Sequence, residues 1–298
     1  MMPGLELLPE EAAERAKELE FFARTRVQGF LKGENRSRFK GASTDFFQHR
    51  QYAPGDDLRA LDWRVFARSD RLVTREYEEY TNLDVILGVD GSGSMAYPPG
   101  EPVTKIDFAR RCAAMLAYLL NLQRDRYGLA VVSDKMLRFV APRTGRKHLA
   151  EALKQLAAIA PAGETDLAAC VRQLERRVRR KSVFVFFSDG YQDPDPFTRA
   201  IGGLQLSGHD VILYQVFDPV EADLPFAGFT LFRDLESGQV DSADAPQIRE
   251  AYRTVFREHV RHLQDGCNRY GIEFHSIPVS SEWDKVFASL LMQRASRP

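Results

Sequence analysis

The sequence of 298 residues has few cysteines, almost no net charge and no long apolar run. Cys112, Cys170 and Cys267 lie far apart and form no Cys-x-x-Cys pair, which argues against a zinc site and a disulfide framework. The formal charge of −1 gives no global attraction to nucleic acid or to an anionic membrane. No apolar stretch approaches the roughly 18 residues of a membrane span, and the acidic N-terminus lacks a signal core. We therefore expect a cytoplasmic protein that meets neither nucleic acid nor membrane.

The pattern of apolar residues predicts an α/β protein. Strands alternate with helices along most of the chain, which indicates a doubly wound, mostly parallel sheet. Strands at 127–133 and 136–141 have so short a connection that they must be antiparallel, with the second at the sheet edge. We predict a helix and a β-rich appendage over residues 1–80. The domain at 81–298 follows, with a hairpin inserted near 218–245.

One stretch in the first third of the sequence carries the residues on which the predicted chemistry depends. Residues 83–90 form an apolar run that is typical of a strand buried on both faces of a parallel sheet. The run ends at Asp90, and two hydroxyls follow, Ser92 and Ser94. Ligands bind at the carboxyl edge of such sheets, and the glycines between these residues let the loop curl around one centre. These oxygen ligands favour a hard cation, Mg²⁺ first, with Mn²⁺ or Ca²⁺ as alternatives.

The spacing Asp-x-Ser-x-Ser resembles the metal-ion-dependent adhesion site of von Willebrand factor A domains. That pattern adds a threonine further along and an aspartate at the end of a later strand, and Thr165 and Asp189 match both. The resemblance implies one metal held by five residues: Asp90, Ser92, Ser94, Thr165 and Asp189. It also implies direct bonds from the hydroxyls, an open position for a partner's carboxylate, and the strand order of an A domain.

A second resemblance lies upstream, where residues 39–82 interleave arginines with acidic residues and predict an ion-pair network. This segment resembles the signature of the bacterial domain of unknown function 58 family. The matching residues are Arg50, Tyr52, Pro54, Gly55, Asp56, Asp57, Arg59, Asp62, Trp63, Ala67 and Arg68. With the metal motif, the resemblance covers most of residues 39–290. It implies that the chain serves as an adaptor or co-chaperone of a MoxR-type AAA+ ATPase.

Two other interpretations of the glycine-rich loop are open. Residues 91–96 fit the Gly-x-Gly-x-x-Ala form of the dinucleotide fingerprint, which requires a helix to begin there. Pro98 and Pro99 follow at once and oppose such a helix, and Asp90 would repel phosphates. Alternatively, the loop is a turn that only caps the next helix.

Three functions follow from these patterns. The preferred one is a non-catalytic, metal-dependent protein-binding module. A Mg²⁺-dependent hydrolase using Asp90 and Asp189 would need a positioned base, and no histidine falls near the site loops in the sequence. His259 and His262 have helical spacing, but without a further ligand nearby we interpret them as surface residues. The third function is a scaffold whose site never loads metal.

Overall fold

The protein forms two compact units, one made of residues 1–28 with 83–298 and the other of residues 29–82. Within the part of the chain that the structure describes, none of the helices combines the length and the apolar character of a membrane span. The computed structural model describes residues 10–32, 46–51, 63–69, 72–77, 83–98, 103–132, 138–163, 166–283, 285–286 and 288.

Among its described residues, the smaller unit has two strands and a short helix: β1 (Phe46–Gln51), α2 (Trp63–Ser69) and β2 (Val73–Tyr77). β1 and β2 pair antiparallel, with a register shift between Phe46 and Gln48. The strands agree with the expected β-rich segment, whereas the seven-residue helix was not predicted. The predicted ion-pair network and most of the signature around Pro54 lie outside the described residues.

The larger unit contains the remaining elements. Its strands are β3 (Asp84–Asp90), β4 (Tyr127–Val132), β5 (Arg138–Arg143), β6 (Ser182–Ser188), β7 (Asp210–Phe217), β8 (Phe229–Arg233), β9 (Val240–Asp244) and β10 (Glu273–Pro278). Its helices are α3 (Lys105–Gln123), α4 (Arg146–Ala157), α5 (Leu167–Arg177), α6 (Pro194–Leu206), α7 (Pro219–Asp223) and α8 (Ala245–Arg269). Helix α1 (Glu10–Lys32) precedes them, and its last residues, 29–32, are assigned to the smaller unit.

Six strands of this unit form one sheet in the order β10-β7-β6-β3-β4-β5. Every neighbouring pair is parallel except β4 and β5, which are antiparallel. The fold class, a doubly wound sheet with one antiparallel edge strand, is confirmed. β3 lies inside the sheet and all seven of its residues are buried, as its continuous apolar run predicts.

Helices cover both faces of this sheet. On one face, Ile86 of β3 packs in a cluster with residues of α5, α6 and α8, among them Val171, Ile201 and Leu263. Alternate residues of a strand point to opposite faces, so Leu87 belongs to the other face, where it is buried as well. Helix α3 contacts β3 and is buried along most of its length. The apolar core therefore lies on both sides of the strand that ends at Asp90.

Helix α1 matches the predicted helix at 9–31, but it belongs to a different unit from the one that the boundary at residue 80 implied. Its residues up to 28 pack with the larger unit. Ala23 and Val27 are completely buried there, and Gln28 Nε2 donates a hydrogen bond to the Tyr118 hydroxyl at 3.2 Å. The physical reason is the helix's apolar stripe, which gains more from covering this unit's core than from solvent exposure.

Candidate functional site

Parallel pairing brings two acidic strand ends together at the carboxyl edge of the sheet. β3 and β6 are neighbours, with Val89 opposite Phe187, so the next residues along both strands also lie side by side. Ser188 Oγ donates a hydrogen bond of 2.6 Å to Asp90 Oδ2, joining the two strand ends. Asp189 follows directly and is buried, like Asp90. The two carboxylates therefore occupy one edge, as the sequence predicted.

The loop after β3 folds back toward Asp90. The backbone N–H of Ser92 donates to Asp90 Oδ1 at 2.9 Å, and the Ser92 and Ser94 hydroxyl oxygens are 3.1 Å apart. Ser92 is buried and Ser94 is half-buried. The structure thus brings together Asp90, Ser92, Ser94 and Asp189, four of the five predicted site residues.

The fifth predicted residue, Thr165, lies outside the described residues. The chain just before it is bonded to the site loop. Gly93 N–H donates to the Gly163 carbonyl at 3.0 Å, and Ala162 N–H donates to the Gly91 carbonyl at 3.1 Å. Thr165 is thus two residues from a segment attached to the loop, and its role as a ligand stays a prediction.

The structure contradicts the two other interpretations of this loop. A single 3₁₀ turn, Gly93–Ala96, follows Ser92, and α3 begins only at Lys105, so the dinucleotide fingerprint lacks its helix N-terminus. Ser92 occupies the cap position of the turn without a side-chain capping bond, so the loop is not a capping turn.

The glycines of the loop were expected to let it curl around one centre. Neither Gly91 nor Gly93 has the positive φ that favours glycine, so their role is a different one. A Cβ at Gly93 would lie 2.6 Å from the Leu235 carbonyl oxygen, so this glycine makes room for another segment.

The electrostatics of Asp90 favour a bound cation. Burial and, second, the neighbouring charge of Asp189 raise the pKa of Asp90 to about 7, although hydrogen bonds from Ser188 and Ser92 oppose the shift. Among the described residues, no group of three or more His, Cys, Asp or Glu side chains is arranged to hold a metal ion. A metal at this edge would therefore depend on the serine hydroxyls as well as on the two carboxylates. Such an all-oxygen set suits Mg²⁺.

A buried lysine, which sequence reasoning missed, lies against the second carboxylate. Lys105 Nζ donates to Asp189 Oδ2 at 2.8 Å and to Glu221 Oε1 at 2.7 Å, and its side chain is completely buried. The ring of Tyr191 lies 4.4 Å from the ammonium. Burial lowers the pKa of Lys105, but Asp189 and Glu221 outweigh it and raise that pKa above its ordinary value. Lys105 is thus a charged counter-ion within the site.

The capping residues of two helices are the sequence signal from which Lys105 and its second partner, Glu221, could have been predicted. Lys105 follows Thr104, the N-cap of α3, and Thr104 forms a capping box with Asp107. Glu221 forms the capping box of α7 with Asp218, directly after β7. Helices that begin after strands of a parallel sheet start at its carboxyl edge, so their first residues face the site.

A histidine also lies near the site, contrary to the expectation from the sequence. His259 of α8 is half-buried, and its Nε2 lies 2.8 Å from the carbonyl oxygen of Gly190, the residue after Asp189. His259 is therefore not a simple surface residue, whereas His262 is exposed. Because the Nε2 atom bonds a backbone carbonyl, His259 positions the loop after β6.

Several solved structures resemble this fold. BatB of Bacteroides thetaiotaomicron is 17% identical, with 72% of this chain and 100% of that chain covered and a TM-score of 0.48. The SpRpn10 VWA domain is 13% identical, with 70% of this chain and 94% of that chain covered and a TM-score of 0.41.

Sequence comparisons find relatives over most of the length. The uncharacterized protein Rv1480 of Mycobacterium tuberculosis is 28% identical over 269 residues, which are 89% of this chain and 84% of that protein. The uncharacterized protein MAV169 of Mycobacterium avium is 32% identical over 149 residues, 48% of this chain and 86% of that protein. The family model described as "Protein of unknown function DUF58" matches residues 48–262. As this match spans well over half of the sequence, the chain belongs to the DUF58 family.

Proposed function

We propose that the protein is a non-catalytic, metal-dependent protein-binding module. The observation that carries this proposal is the convergence of Asp90, Ser92, Ser94 and Asp189 at the carboxyl edge of the sheet. These oxygen donors fit Mg²⁺, and Mn²⁺ and Ca²⁺ are weaker candidates for the same set. When bound, the metal supplies an open coordination position that takes a carboxylate from a partner.

The chain's own residues would hold and orient the metal ligands. The Ser92, Ser94 and Thr165 hydroxyls would bind directly, while Asp90 and Asp189 neutralise the charge directly or through water. Ser188 Oγ and the Ser92 N–H fix both oxygens of Asp90, so its carboxylate is held in one orientation. Hydrogen bonds that orient the oxygens of a metal ligand in this way raise the precision and affinity of the site.

Hydrogen bonds also orient the carboxylate of Asp189. Lys105 binds its Oδ2 at 2.8 Å, while Oδ1 accepts a longer bond of 3.3 Å from the backbone of Tyr191. Oδ1 therefore keeps lone-pair capacity for a cation or its water. Asp189 can therefore bind the Lys105 ammonium through Oδ2 and a metal, or its water, through Oδ1.

The partner that we propose is a MoxR-type AAA+ ATPase, with this chain as its adaptor or co-chaperone. The support is the resemblance to the DUF58 signature around Pro54-Gly55-Asp56-Asp57 together with membership of that family. We propose that the two proteins meet in the cytoplasm, and that the ATPase supplies the carboxylate for the metal.

A pull-down tests this function directly. The tagged protein is incubated with cytoplasmic extract in Mg²⁺ or in EDTA, and the Asp90→Asn variant is incubated in Mg²⁺. Asp241→Asn, at an exposed position of β9, is the matched control. We expect one AAA+ ATPase to be retained by the wild type and the control in Mg²⁺, and lost in the other two samples. Equal retention in all samples would show that the metal is not the docking point.

A second candidate, a scaffold that holds no metal, is favoured by one observation. The Lys105 ammonium already neutralises Asp189 from inside the protein, which reduces the site's need for a cation. Calorimetry with Mg²⁺ separates the two candidates, since a scaffold of this kind gives no binding heat while the proposed module does. A hydrolase using Asp90 and Asp189 is the remaining alternative, and since His259 Nε2 is bonded to the Gly190 carbonyl, only the Nδ1 of this histidine could act as its base.

A further inference from the structure

The turn of the inserted hairpin lies directly on the metal-site loop. β8 and β9 form a two-stranded sheet of their own, and the turn at 234–238 connects them. The Leu235 carbonyl oxygen would be 2.6 Å from a Cβ at Gly93, and the Glu236 Cα would be 3.3 Å from it. The backbones of the two loops are therefore in van der Waals contact, which only a glycine at position 93 permits.

The turn itself is held in one conformation by Asp234. Its Oδ1 accepts from the N–H groups of Glu236 at 2.8 Å and Ser237 at 3.3 Å, and its Oδ2 accepts from the Ser237 hydroxyl at 2.7 Å. Gly238 N–H donates to the Asp234 carbonyl at 2.9 Å. Asp234 thus accepts the hydrogen bonds that hold the turn, and the Glu236 side chain takes no part in them.

The side chain of Glu236 faces the site. Glu236 is half-buried, while the other residues of the turn are exposed. Burial raises the pKa of its carboxyl, hydrogen bonds from the Ser94 side chain and N–H oppose that shift, and the charge of Asp189 adds to it. The Glu236 carboxylate, from a distant part of the chain, therefore lies at Ser94, a proposed metal ligand. Its charge also interacts with that of Asp189, a second proposed ligand.

We propose that the turn 234–238 covers the metal site, and that Glu236 supplies the carboxylate that fills the open position until a partner's carboxylate replaces it. This inference rests on the proposed function, because it concerns the same metal. The Glu236 carboxylate accepts hydrogen bonds from Ser94, itself a proposed ligand, so it is placed to bind a cation that the Ser94 hydroxyl would hold. A docking partner must then displace the turn.

Displacement of the hairpin would cost little. Its two strands pair with each other and with no strand of the main sheet, and isolated two-stranded hairpins are marginally stable. Phe229 and Leu231 are 84% and 75% exposed, so the strands bury little apolar surface of their own. Moving the hairpin would therefore expose little further apolar surface of Phe229 and Leu231.

The test uses the full chain, Mg²⁺ as the probe, and four proteins: wild type, Glu236→Gln, Asp90→Asn and the hairpin control Asp241→Asn. Calorimetry measures Mg²⁺ affinity, and hydrogen exchange measures protection of the turn amides at 235–238. We expect Mg²⁺ to slow exchange of the turn in the wild type and the control. Glu236→Gln should bind Mg²⁺ about tenfold more weakly and lose this protection. Sodium acetate should restore part of its affinity and leave that of the wild type unchanged.

The outcomes separate this inference from the function beneath it. If the wild type binds no Mg²⁺, the metal-dependent function and the covering role of Glu236 are both wrong. If Mg²⁺ binds to the wild type and not to Asp90→Asn, the metal site stands. In that case, unchanged affinity and unchanged turn protection in Glu236→Gln would overturn the covering role alone.

Discussion

Replacing Asp90 by asparagine should stabilise the metal-free protein at alkaline pH. The side chain keeps its size, and it loses a charge that is buried beside Asp189. The raised pKa means that the folded protein holds the Asp90 proton more tightly than the unfolded chain does. Between the unfolded pKa of 3.8 and the folded value of about 7, the folded state binds more protons. The wild type's free energy of unfolding therefore falls as pH rises through this window.

The size of the effect follows from the shift. A difference of about three pKa units corresponds to about 4 kcal/mol of lost stability once Asp90 is fully ionised. The asparagine must rearrange the bond with Ser188, whose hydroxyl donates to Asp90 and accepts from Gly190 N–H, at a cost of about 1 kcal/mol. We expect Asp90→Asn to be about 3 kcal/mol more stable than the wild type above the window, and slightly less stable below it.

Urea unfolding followed by circular dichroism measures this difference. Both proteins are unfolded in EDTA at about pH 5 and about pH 8, and Asp241→Asn reports the effect of an exposed carboxyl. A gain that grows with pH in Asp90→Asn alone would support the assignment of the buried charge. Equal unfolding free energies for the wild type and Asp90→Asn at the higher pH would refute it.

Three further predictions concern neighbouring parts of the site. Lys105→Met should lower the free energy of unfolding by about 3 to 5 kcal/mol, because two buried carboxylates lose their counter-ion, and urea unfolding at neutral pH would detect it. Gly93→Ala should push the hairpin turn away from the loop and speed hydrogen exchange at 235–238, whereas Gly203→Ala, with open space around its Cβ, should leave that exchange unchanged. Saturating Mg²⁺, at about 100 times its dissociation constant, should stabilise the wild type by about 3 kcal/mol and leave Asp90→Asn unaffected; a thermal melt that does not respond to Mg²⁺ would contradict a loaded site.

Local patterns were enough to predict the fold and the first residues of the site. The continuous apolar run before Asp90 indicated a strand buried on both faces, and β3 has that burial over all seven residues. The strand predicted at 273–278 has the same bounds in the structure. Asp90 and Asp189 follow adjacent parallel strands, and a parallel sheet places such ends at one edge whatever the rest of the chain does. These features depend on hydrophobic periodicity and on the geometry of parallel sheets, and both can be inferred from short stretches of sequence.

The other charges at that edge come from distant parts of the chain and could not be predicted from local patterns. Lys105 is 84 residues from Asp189 and 116 from Glu221, and its reach depends on how α3 packs beneath both loops. Glu236 lies at the tip of an inserted hairpin, whose turn occupies the space that Gly93 leaves. Side-chain contacts between such distant elements depend on packing to within an ångström, and hydrophobic periodicity carries no such information. Local sequence patterns were therefore enough to predict the sheet and its acidic edge, whereas the packing of distant elements brings the Lys105 ammonium and the Glu236 carboxylate to that edge.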